Sequence, residues 1–77
     1  MTPEQIQQFI ESGLSCEHVE VSGDGHHFEA VIVSAEFRGK NKVQQHQLVY
    51  RALGERMREE IHALSMQTYT PEDWARQ

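Results

Sequence analysis

Cysteine is almost missing from this chain: Cys16 stands alone among 77 residues. One thiol cannot close an internal disulfide. Nor can it by itself hold a structural zinc or an iron–sulfur cluster, which normally take several thiolates. Any metal chemistry would have to rest on histidine or on ligands borrowed from elsewhere. Long apolar runs are missing too. No segment approaches the roughly 20 residues that a membrane helix needs. Met1 to Leu14 is polar and acidic, without the apolar core of a secretory signal, so the expected setting is cytoplasmic. A chain this short is expected to form one domain, residues 1–77, with few core side chains per element and little room for a deep pocket. No nucleophile with an assignable base and no carboxylate pair in a recognisable motif is present, which argues against an enzyme.

Acids are absent from one stretch. The net charge of −5 disfavours general phosphate binding, yet Phe37 to Leu53 holds no Asp or Glu and four cations, Arg38, Lys40, Lys42 and Arg51. Arg38, Lys40 and Lys42 could meet an anionic ligand or an acidic partner surface. A solvated loop and helix start has the same composition, and composition alone favours that plainer reading.

The first element is TPEQIQQFIESG, an amphipathic helix with Thr2 as N-cap, Pro3 at its first position, Gln5 at capping-box spacing and Gly13 as terminator. Ile6, Phe9 and Ile10 form its core stripe, which Leu14 continues. His18 to Val21 alternates as a short strand, and SGDG supplies a turn. The strand Phe28 to Ser34 follows. Its nearly unbroken run AVIV predicts burial on both faces and a central position. After the loop FRGKN, a helix over Lys42 to Leu53 is expected to turn Val43, Tyr50 and Leu53 inward, with Gly54 breaking it. A second helical piece runs to about Ile61, Leu64 to Tyr69 alternates as a third strand, and TPEDW starts a last helix capped by Thr70. Trp74 reads as a core anchor, His18 as solvated and Cys16 as a packing or bystander thiol.

This order carries geometry. A tight hairpin makes the first two strands antiparallel, whereas two helices between the second and third strands allow a parallel crossover. Parallel neighbours begin at the same sheet edge. His27 stands just before the second strand and His62 just before the third, so the two should converge. Neutral imidazoles bind borderline metals such as zinc and iron. Two ligands do not complete a site, and His62 could equally satisfy a backbone carbonyl at a helix end while His27 stays in solvent.

The segment FRGKNKVQQHQLVYRALGERMREEIHALSMQTYTPEDWAR, with GDGHHFEAVIVSAEF before it, resembles the BolA family. An F-x-G-K loop, an H-x-L-V-Y helix, an I-H-A-L junction and a T-P-x-x-W end recur there in this order. The GDG-x-H-F turn is most similar to the branch that includes the bacterial IbaG proteins. The resemblance implies an α+β domain like the class II KH fold, in the order α-β-β-α-α-β-α with a three-stranded mixed sheet packed against helices. It also implies a non-enzymatic adaptor that partners a monothiol glutaredoxin and shares a [2Fe-2S] cluster with it, in cluster trafficking or iron regulation. By that resemblance His62 of I-H-A-L is one cluster ligand and His27 the other, with His26 a second-choice substitute for His27. The glutaredoxin cysteine and glutathione would supply the sulfur ligands. His46 of H-x-L-V-Y is expected to be structural, and the apo chain to be a monomer or a homodimer. The alternative function is a KH-like nucleic-acid-binding transcriptional regulator. KH domains clamp a nucleic-acid backbone with a GXXG loop, but the corresponding residues here are Gly39, Lys40, Asn41 and Lys42, without the second glycine.

Overall fold

In the computed structural model, which describes residues 1–56 and 63–77, the chain runs α1 (Pro3–Gly13), β1 (His18–Gly23), β2 (His27–Val33), a 3₁₀ turn (Ala35–Phe37), α2 (Lys42–Leu53), β3 (Ala63–Tyr69) and α3 (Pro71–Ala75). The expected helical piece up to Ile61 lies mostly outside the described residues. Helix starts follow their sequence signals. Thr2 Oγ1 accepts from Gln5 N–H at 3.2 Å while Gln5 Oε1 accepts from Thr2 N–H at 2.9 Å. Asn41 and Gln44 repeat the device at α2, and Thr70 caps α3. No helix among the described residues is long and apolar enough to cross a membrane.

The sheet order is β1-β2-β3, with β2 central, antiparallel to β1 and parallel to β3. This is the mixed α+β sheet expected from the connection lengths. One face carries the core: Ile6, Ile10 and Leu14 from the α1 side meet Phe28, Ala30 and Ile32 of β2, Phe37, and Val49 and Leu53 of α2. As the sequence suggested, α1 ends at Gly13. A Cβ there would stand 2.8 Å from both Cα and Cβ of Ala52, so the glycine allows α1 and α2 to touch.

Three expectations about packing are corrected. The β2 strand is not buried evenly on both sides: Phe28, Ala30 and Ile32 face the core, while His27 and Glu29 on the opposite, outer face are exposed and Val31 is half-buried. Only Val33, at the far end of that outer face, is fully buried. Its register partners are His18 on β1 and Tyr69 on β3. Trp74 of α3 stacks on His18 at 5.2 Å between ring centroids and meets Tyr69 at 5.3 Å. Trp74 therefore closes one end of the outer face and is 37% exposed rather than a core anchor. His18, though stacked on Trp74, keeps 40% of its side chain exposed, as expected of a solvated residue.

The third correction concerns α2. Its inward residues are Gln45, Val49 and Leu53, spaced by four, whereas Val43 and Tyr50 are 66% and 41% exposed. Val43 lies two residues, about 200°, round the helix from Gln45. A glutamine faces inward because its whole amide is used. Gln45 Nε2 donates to Lys40 O at 2.8 Å and to Phe37 O at 3.3 Å, and Gln45 Oε1 accepts from Thr68 Oγ1 at 2.7 Å. One side chain thus ties the loop before α2 to β3.

Candidate functional site

The turn between β1 and β2 is built for tightness. Gly23 ends β1 opposite Phe28. A Cβ on Gly23 would stand 2.4 Å from His27 O and 2.6 Å from Phe28 Cδ1, so no larger residue fits. Asp24 N–H donates to His27 O at 3.2 Å. Gly25 sits at φ +97°, a conformation that side-chain-bearing residues rarely adopt. The Asp24 carboxylate turns back on the chain, and its Oδ1 accepts the backbone N–H of His26 and of His27, each at 2.9 Å. These two amides, His27's the more strongly, hold the Asp24 carboxyl below the usual carboxylate range. His26 and His27 are exposed. Since Phe28 turns into the core, strand alternation sets His27 on the outer face.

Across the parallel pair, His27 is in register with Ala63, the residue that follows His62 in the chain. The starts of β2 and β3 thus share one sheet edge, as the connection length implied. His62 itself lies outside the described residues. Among the described residues no three His, Cys, Asp or Glu side chains gather into a group that could hold a metal ion. A metal bound at His27 would need further ligands from His62 or from another molecule.

The basic segment is used within the fold. Arg38 forms a forked ion pair with Glu72 of α3, Nε to Oε1 at 2.9 Å and Nη2 to Oε2 at 2.5 Å. Lys42 Nζ donates to Thr68 O and stands 5.1 Å from the centre of the Tyr69 ring. Arg38 ties the loop before α2 to α3, and Lys42 ties the start of α2 to β3; these two cations and Lys40 are all exposed. Their partners are 34 and 26 residues away, beyond any local pattern. His46 is half-buried on α2.

Cys16 packs against the core as expected, its Sγ 3.4 Å from Leu14 O. Burial, then the nearby carboxylates of Glu11 and Glu36, push its thiol up to about 11. Only the thiolate is nucleophilic. Alkylation by iodoacetamide at pH 8 should therefore run on the order of ten- to a hundredfold slower than for an unperturbed cysteine, and reach the ordinary rate in denaturant. A native rate equal to the denatured one would contradict this placement.

Comparison with known proteins gives concordant findings. Residues 1–73 match the family model described as BolA-like protein. The acid stress protein IbaG of Escherichia coli K12 is 42% identical over 77 residues, covering 99% of this chain and 92% of that protein. The DNA-binding transcriptional regulator BolA of Haemophilus influenzae is 47% identical over 55 residues, covering 71% of this chain and 53% of that protein. Among solved structures, a bolA protein homologue from Coxiella burnetii superposes with a TM-score of 0.89 at 49% identity, covering 97% of each chain.

Proposed function

The chain belongs to the BolA family, and we propose that it is a non-enzymatic adaptor that binds a monothiol glutaredoxin and co-ligates a [2Fe-2S] cluster handed between proteins. The observation that carries this reading is the register His27 to Ala63, which brings the start of β2 level with the residue after His62. The donor set suits a shared cluster. Two imidazoles and no thiolate nearby make half of a ligand shell, and the glutaredoxin cysteine and glutathione complete it with sulfur. Histidine ligation of one iron raises the reduction potential relative to an all-cysteine site. It also makes the complex labile to acid, since protonated imidazole has no lone pair to donate.

The test is to mix the purified chain with a cluster-loaded monothiol glutaredoxin and follow visible absorption and circular dichroism. A one-to-one complex with an altered cluster spectrum is expected. A glutaredoxin spectrum that stays unchanged at excess chain would contradict the proposal.

A second reading, a KH-like regulator that binds nucleic acid, draws on the name of the H. influenzae relative and on Arg38, Lys40 and Lys42. Two of these cations are already engaged within the fold. If the reading holds, neutralising all three should weaken duplex binding and flatten its salt dependence by about one unit of slope for each phosphate no longer neutralised. Equal salt slopes for the wild-type and neutralised chains would leave these residues as structural fasteners.

A further inference from the structure

We propose that Asp24 is a positioning residue for His27, an inference that rests on the adaptor reading and deepens it. Asp24 is solvent-exposed and lies outside the core, yet a single oxygen, Oδ1, collects two consecutive backbone amides, those of His26 and His27, at 2.9 Å each. The remaining polar contact of the turn, Asp24 N–H to His27 O, runs in the opposite direction and closes the loop from the other side. His27 is thereby held through both its N–H and its carbonyl by one residue. Gly23 closes the turn still further, because the His27 carbonyl occupies the space that any side chain there would need.

The consequence is preorganisation. A glycine-flanked hairpin end in solvent samples many backbone states, and an imidazole carried on it loses that freedom on ligation. The Asp24 carboxylate fixes the backbone under His26 and His27 beforehand, so the His27 backbone is set at the shared edge of β2 and β3 before any metal arrives. Groups that orient a metal ligand without touching the metal typically change affinity by about 10–100-fold when removed. Because Asp24 holds the backbone and not the ring, the lower end of that range applies. The acceptor oxygen is the operative feature. Asparagine keeps an Oδ1 in the same place, whereas alanine does not.

The experiment compares Asp24→Ala and Asp24→Asn with the wild-type chain in two measurements. Amide hydrogen exchange on the apo chain should show the His26 and His27 amides losing protection in the alanine variant and keeping most of it in the asparagine variant. Titration with cluster-loaded monothiol glutaredoxin, followed by visible circular dichroism, should show about tenfold weaker binding for alanine and near-wild-type binding for asparagine. Far-UV circular dichroism should match for all three chains, since the turn lies outside the core. The proposal is overturned if the alanine variant binds as tightly as wild type, or if asparagine is as impaired as alanine, which would assign the effect to charge. If the wild-type chain forms no complex at all, the adaptor reading fails instead; the exchange measurement needs no cluster, so the two failures are distinguishable.

Discussion

Replacing Gln45 with leucine should lower the stability of the folded chain by about 2–4 kcal/mol, on the order of 10–20 °C in melting temperature for a domain of this size. Leucine fits the volume and the helix. It cannot accept from Thr68 Oγ1 or donate to the carbonyls of Phe37 and Lys40, which Gln45 reaches at 2.7, 3.3 and 2.8 Å. Thr68 is 1% exposed, so its hydroxyl has no water to turn to. The orphaned Thr68 hydroxyl adds its desolvation cost to the lost hydrogen bonds, while Phe37 O still accepts from Lys40 N–H at 3.2 Å. A second substitution separates the two contributions. Thr68→Val in the Gln45→Leu background removes one orphaned hydroxyl and should recover part of the loss, giving a coupling of about 1 kcal/mol in the double-mutant cycle. A Gln45→Leu chain that melts within about 2–3 °C of wild type would show that the loop before α2 and β3 are held together by other means.

Replacing His62 with alanine should abolish the altered cluster spectrum in the presence of glutaredoxin, with far-UV circular dichroism and melting temperature unchanged. Replacing His27 should leave a weaker or altered complex. The difference follows from what stands beside each ligand. His26 shares the Asp24 oxygen with His27 and lies one residue away on the same ordered turn, so an alternative imidazole is close at hand. The I-H-A-L junction offers none. The double substitution of His26 and His27 should then match the His62 variant. Acid gives an independent check on cause. Asp24 is held below its ordinary range, so its contribution to the turn is present above its unfolded value and is lost only as the pH falls through the lowered one. A cluster released at mildly acid pH would therefore report protonation of ligands and not opening of the turn. Retention of the wild-type spectrum by the His62 variant would refute the ligand assignment, and unfolding of that variant would give His62 a structural role instead.

The features legible in the sequence are those that depend on neighbours in the chain. Thr2 with Gln5, Pro3, and Thr70 with Pro71 are local signals, and the helices start where they say. The parallel pairing of β2 with β3 follows from connection length, and with it the alignment of His27 with the start of β3. Side-chain facing is harder to read. The expected α2 stripe of Val43, Tyr50 and Leu53 counts apolar residues, whereas the fold turns a glutamine inward because two carbonyls and a hydroxyl await it. No pattern within α2 encodes those partners. Arg38 and Lys42 look like free charge for the same reason, their partners Glu72 and Thr68 lying in the last elements of the chain. The outer face of β2 is less covered than AVIV suggests, because only its last residue, Val33, is fully buried there, and Trp74, 41 residues further on, stacks on the register partners of Val33, His18 and Tyr69.

The most direct test of the cluster assignment is to label only this chain with ¹⁵N-histidine, form its complex with an unlabelled cluster-loaded monothiol glutaredoxin, reduce the cluster, and record the nitrogen couplings by electron–nuclear double resonance. Two strongly coupled ¹⁵N nuclei are expected, and none when the same complex is formed with this chain carrying natural-abundance histidine. A paramagnetic cluster with no strongly coupled ¹⁵N from the labelled wild-type chain would contradict the account.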